Sequence, residues 1–82
     1  MALPKGIHDE RYRRLIDRLI VARKAAGMSQ TVLAEKLSKP QQFVSRYELG
    51  ERRLDIVEFV DVARAVGIDP LEELSAALAD IK

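Results

Sequence analysis

The sequence predicts an all-α chain, a compact five-helix bundle with no strand. Apolar residues recur at three- and four-residue spacing in five segments, the period of a helix with one buried face. Residues suited to capping or stopping a helix bound those segments. Apolar residues make up 48% of the chain and charged residues 33%. That is the balance of a globular domain, not of a disordered one.

The first helix reads from about Asp9 to Ala26. Tyr12, Leu15, Ile16, Leu19, Ile20 and Ala22 share one face, and Arg11, Arg14, Arg18 and Lys24 the other. Gly27 stops it, because glycine takes the left-handed conformation without steric cost. Ser29 offers a cap for a short second helix, Gln30 to Leu37, with Leu33, Ala34 and Leu37 as its buried stripe. The stretch "SKP" breaks it: Pro40 disfavours helical geometry at Lys39 and suits the start of a new helix. That third helix runs from about Gln41 to Leu49, with Val44 and Tyr47 facing inward, and ends at Gly50. "ERRL" is a loop. Asp55 caps the fourth helix, about Ile56 to Val66, and Glu58 lies three residues on, as in a capping box. Phe59, Val60, Ala63 and Val66 supply its core face, and Gly67 ends it. The fifth opens with "DPLE": Asp69 as cap, Pro70 at the first helical position. It runs to the C-terminus with Leu71, Leu74, Leu78 and Ile81 on one stripe. Leu71 and Leu74 are expected to cover the core, and Leu78 and Ile81 to lie beyond it.

Eighty-two residues make one domain. Residues 1–8 read as a flexible N-terminus and residues 9–82 as the folded unit. With no cysteine there is no disulfide, thiolate metal site or cysteine nucleophile. His8 is the only histidine, and no second ligand or nucleophile accompanies it. The neighbours Asp9–Glu10 and Glu72–Glu73 do not face each other on a helix and read as charges favoured at helix starts. Neither an enzyme, a metal nor a cofactor is expected. No apolar run approaches the ~18 residues of a membrane span, and the first residues show no secretory leader. A cytoplasmic protein is expected.

Net charge is +1, but it is unevenly spread. Residues 1–53 carry twelve Lys and Arg against six Asp and Glu; residues 54–82 carry two against seven. Such asymmetry suits one face turned to a polyanion and another kept away from it. Two solvated surfaces without a role are the competing reading.

Two short helices joined by a tight turn describe a helix-turn-helix. Its second helix can enter a DNA major groove and meet base edges with its first residues. Here those are Gln41 and Gln42, whose amides can bond adenine N6 and N7 together. One turn on come Ser45 and Arg46; Arg46 suits either guanine O6 and N7 or a phosphate. Arg52 and Arg53 follow in a loop, where phosphate contact is expected, the alternative being a solvated loop. Gln30 opens the preceding helix, where free N–H groups favour a phosphate.

The run "MSQTVLAEKLSKPQQFVSRYELGERRLDIVEFVDVARAVGIDP" resembles the XRE family, the helix-turn-helix domain of lambdoid phage repressors and Cro. The likeness covers roughly residues 12–71. It implies a lambda repressor-like fold, with base contacts from Gln41, Gln42, Ser45 and Arg46 and an ion pair between Arg23 and Glu48. It maps Gln30 to a position that meets phosphate and braces a side chain. Lys39, Phe43, Arg52 and Arg53 complete the expected phosphate-side set. Three positions depart from the family's pattern. Ser38 stands where glycine is common, Pro40 replaces the usual Ser or Thr cap, and Phe43 replaces a small polar residue.

The reading is a sequence-specific double-stranded DNA-binding regulator, a repressor on a two-half-site operator, located with the nucleoid. One such domain reads few base pairs, so a homodimer is expected. Leu74, Leu78 and Ile81 are its expected interface, because the acidic half should face away from DNA. The alternatives are dimerisation through the fourth helix or the loop before it, an antitoxin of a toxin–antitoxin pair, and a protein-interaction domain that has lost DNA binding. A toxin or antirepressor partner stays open.

Overall fold

The computed structural model describes residues 9–79. It contains α1 (Glu10–Ala25), α2 (Gln30–Leu37), α3 (Gln41–Leu49), α4 (Ile56–Ala65) and α5 (Pro70–Ala79), with no strand among the described residues. The chain is all-α, as the periodicity predicts. The expected flexible segment 1–8 and Ile81 lie outside the described residues.

Local chemistry sets the helix ends. The Asp9 carboxylate accepts the Arg11 N–H at 2.8 Å, and the Ser29 hydroxyl oxygen accepts the Val32 N–H at 3.0 Å. Asp55 and Glu58 close a reciprocal capping box at the start of α4. Pro40 caps α3 by position alone, with no side-chain hydrogen bond. The turn between α2 and α3 is made by Ser38 at φ 56°, the only non-glycine residue at positive φ among those described. A glycine would take that conformation without the clash a Cβ brings.

The core gathers one stripe from each of the first four helices. Ile16 and Leu19 come from α1, Leu33 and Ala34 from α2, Val44 and Tyr47 from α3, Phe59 and Ala63 from α4. α2 packs on α3 and α4, and α1 lies against α3 and α5. Leu54, in the loop before α4, is also buried, and the Tyr12 hydroxyl oxygen accepts its N–H at 2.9 Å. Val62 is fully enclosed although the expected α4 face runs through Val60, which is only partly covered.

α5 departs from the expected stripe. Leu71 is 75% exposed and does not cover the core. The inward positions are Leu74, packed partly on the core, and Ala77, 1% exposed. Glu73 pairs with Arg18 of α1. A small residue at 77 lets α5 lie close to its neighbours, and the ion pair fixes its rotation, so the helix turns Glu73, Leu74 and Ala77 inward.

Tyr47 is wholly buried, and its hydroxyl has no hydrogen-bond partner among the described residues. Burial pushes that phenol well above its ordinary value, so it stays neutral. An unpartnered buried hydroxyl costs about 1–3 kcal/mol of desolvation. Tyr47→Phe should therefore unfold thermally at the wild-type temperature or a few degrees above it. A drop of more than about 1 kcal/mol in stability would show that the hydroxyl is bonded after all, through a buried water.

Candidate nucleic-acid interface

The first turn of α3 carries Gln41 and Gln42, both exposed. They are not equivalent. The Gln41 amide donates to the Gln30 side-chain oxygen at 2.9 Å. The Gln30 amide donates to Glu48 Oε1 at 2.9 Å. Glu48 accepts from Arg23 Nε at 2.7 Å and Nη2 at 3.0 Å, and Arg23 Nη1 donates to the Met28 carbonyl at 2.8 Å. A chain of polar contacts thus runs from α1 through α3 and α2 to one exposed glutamine. Its inner end is closed to water: the Arg23 and Glu48 side chains are 9% and 7% exposed. The Glu48 carboxylate raises the Arg23 guanidinium further above its ordinary value. Gln42 is outside this chain and carries no side-chain hydrogen bond among those of the described residues.

Ser45 is half-buried, and its hydroxyl donates to the Gln42 carbonyl at 3.4 Å. Arg46 is exposed on the next turn and forms no ion pair among the described residues. Gln30 combines its bracing role with a place at the first position of α2, where backbone N–H groups are free.

Two of the residues expected on the phosphate side sit differently from loose surface contacts. Phe43 is 8% exposed and belongs to the core, so it is not a free DNA contact. Its ring lies edge-on to Tyr47 at 5.6 Å and under two cations, Lys39 Nζ at 5.3 Å and the Arg52 guanidinium at 4.8 Å. An aromatic face attracts cations, so Phe43 organises the charges above it. Arg52 is no loose loop cation: it is held by Glu58 at 2.9 Å through both carboxylate oxygens. In the expected dimer set, Leu74 packs on the core, while Leu78 is 48% exposed.

Lys39 and Arg53 are exposed, and the Arg53 guanidinium lies 5.5 Å from the Tyr12 ring centroid. The cations Lys39, Arg46 and Arg53 therefore belong to α3 and the loops on either side of it. Two contributions escaped the sequence reading. Glu58 reads there only as half of a capping box, yet it also holds Arg52. Tyr12 reads only as core, yet it ties the loop after α3 to α1. Neither carries a periodic signal, because each pair joins different elements.

A family model described as Helix-turn-helix matches residues 19–72. Among solved structures, the chain is similar to an XRE-family like protein from Pseudomonas syringae pv. tomato str. DC3000. The two are 49% identical over 95% of each chain, with a TM-score of 0.87. A search of curated proteins gives no match.

Proposed function

We infer function from one premise: the chain belongs to the XRE family of helix-turn-helix proteins. That fold is one of DNA-binding transcription regulators, and enzymatic chemistry is not typical of it. From there we propose a sequence-specific repressor. α3 lies in the major groove of double-stranded DNA, Gln41, Gln42 and Arg46 meet base edges with Ser45 beside them, and Gln30, Lys39, Arg52 and Arg53 meet phosphates. Occlusion of a promoter by the bound domain is the proposed mechanism.

The observation that carries this reading is the bracing of Gln41. A buried ion pair and two further hydrogen bonds end on the amide of an exposed residue. Ordering a surface side chain costs rotamer entropy, and a fixed donor–acceptor pair at a recognition position offsets that cost on binding. The cations Lys39, Arg46 and Arg53 near it supply the non-specific attraction.

Two further elements of the proposal are a homodimer and residence in the cytoplasm with the nucleoid. No helix among the described residues is long and apolar enough to cross a membrane. Leu71 and Leu78 are the large apolar residues of α5 that are exposed among those described, and Leu78 is the one that belongs to the expected interface. A twofold contact through it would use the same patch on both subunits.

One experiment tests the DNA reading and the dimer together: selection of bound duplexes from a random pool, followed by titration of the winner at several salt concentrations. The expected site has dyad symmetry, with half-sites about one helical turn apart. Affinity should fall steeply with salt, because each neutralised phosphate contributes about −0.9 to the slope of log K against log salt. Arg53→Ala should reduce that slope by about one on every sequence alike. No enriched duplex, or salt-independent affinity, would sink the DNA reading. An enriched site with a single half would remove the dimer and leave the DNA reading standing.

A further inference from the structure

Arg52 is held on three sides. Nη1 and Nη2 donate to the two oxygens of Glu58, each at 2.9 Å. Nη1 also donates to the Arg53 carbonyl at 3.1 Å. Its flat face stacks 4.8 Å from the ring centroid of Phe43, a buried residue next to Gln42 in the first turn of α3. A guanidinium has five N–H donors in one plane. Glu58 spans the Nη1–Nη2 end, which leaves the edge formed by Nε–H and the second Nη2 proton. No hydrogen bond among the described residues uses that edge. Two parallel donors on one edge match two oxygens of a phosphate.

Glu58 is itself fixed. It accepts the Asp55 N–H at 3.0 Å as part of the capping box, and its side chain is 16% exposed. Arg52 holds its carboxyl down at about 2, so it is ionised at neutral pH.

We propose that Glu58 is a positioning residue for DNA binding. Together with Phe43 it presets Arg52 as a fork whose free edge takes a backbone phosphate beside the recognition helix. The proposal rests on the DNA-binding reading above. It opposes the expectation from charge alone, which is that a carboxylate near DNA repels it and its removal tightens binding. An unrestrained arginine loses rotamer freedom when it binds. Arg52 has lost that freedom in folding, through Glu58.

The test compares Glu58→Gln, Arg52→Ala, the double variant and Arg52→Lys, on the selected site and on an unrelated duplex. Glutamine at the third helical position still closes a capping box, and thermal unfolding checks the fold of each variant. Glu58→Gln should weaken binding to both duplexes by about fivefold or more, the size of a coupling between contacting groups. Arg52→Ala should weaken it at least as much and lower the salt slope by about one. In the Arg52→Ala background, Glu58→Gln should have no further effect. Arg52→Lys keeps the charge without the fork, so it should lose affinity as Arg52→Ala does while keeping more of the slope. Tighter or unchanged binding by Glu58→Gln, or an equal effect in both backgrounds, overturns the proposal and leaves Glu58 as a cap. Arg52→Lys decides alone if Glu58→Gln does not fold: wild-type binding by it overturns the proposal. Loss confined to the selected site overturns the phosphate assignment in favour of a base. A wild-type protein that binds no duplex fails the DNA reading itself, and this inference with it.

Discussion

Glu48→Ala should lose roughly 3–5 kcal/mol of stability, because it leaves the Arg23 guanidinium buried without its counter-charge. An 82-residue chain has little to spare. Total stability of such a domain is about 5–15 kcal/mol, and each 1 kcal/mol moves the melting temperature by roughly 4–8 °C at this size. A fall of about 12–40 °C is expected. The loss is so large because both side chains are under one-tenth exposed. Arg23 also cannot shed its proton to escape, since a guanidinium stays protonated in proteins. Glu48→Gln keeps an acceptor for Arg23 and Gln30 and should lose less. Replacing both partners, with Arg23→Met and Glu48→Leu, removes the buried charges together and should restore much of the stability. It should not restore DNA binding, because Gln30 would have nothing to brace against and Gln41 would be freed. Thermal unfolding and duplex titration of the same three proteins separate these effects. A melting temperature for Glu48→Ala within about 5 °C of wild type would show that the pair is solvated rather than structural.

That pair also marks how far the sequence could be read. Helix periods, caps and glycine stops depend on residues a few positions apart, so the five helices were visible, with Asp9, Ser29 and Asp55 acting as caps as their types suggest. Contacts between elements are different. Arg23 and Glu48 are 25 positions apart, and only the family likeness pairs them in the sequence. Arg52 and Glu58 join a loop to a helix start, and no local signal in the sequence pairs them. The rotation of α5 differs from the apolar stripe for a related reason. Leu71, Leu74 and Leu78 make the more apolar stripe, but the closeness allowed by Ala77 and the Arg18–Glu73 pair decide which side faces in. Phe43 stands where the family has a small polar residue, which puts it on the DNA side in the sequence reading. Its own burial places it beneath the cations instead.

Gln42→Ala should weaken binding to the preferred site by roughly 1–3 kcal/mol for each copy of the residue that reads a base. In a dimer on two half-sites both copies are lost, and well-separated positions add, so the whole complex should lose about twice that. Preference should relax at one or two base pairs in each half-site. Non-specific affinity and the salt slope should stay as they are, because the residue is uncharged and the phosphate contacts are untouched. Stability should change by less than about 0.5 kcal/mol, since Gln42 is exposed and its side chain makes no hydrogen bond within the described chain. Gln41→Ala gives the contrast. It removes a base-reading amide and also strips Gln30 of its outer partner, so its loss should spread from the base to the phosphate near the start of α2. Titration of both variants on the selected site, on single-base changes of it and on an unrelated duplex resolves the two patterns. Were specific and non-specific affinities to fall together for Gln42→Ala, Gln42 would be a positioning residue, and base reading by α3 would pass to Gln41 and Arg46.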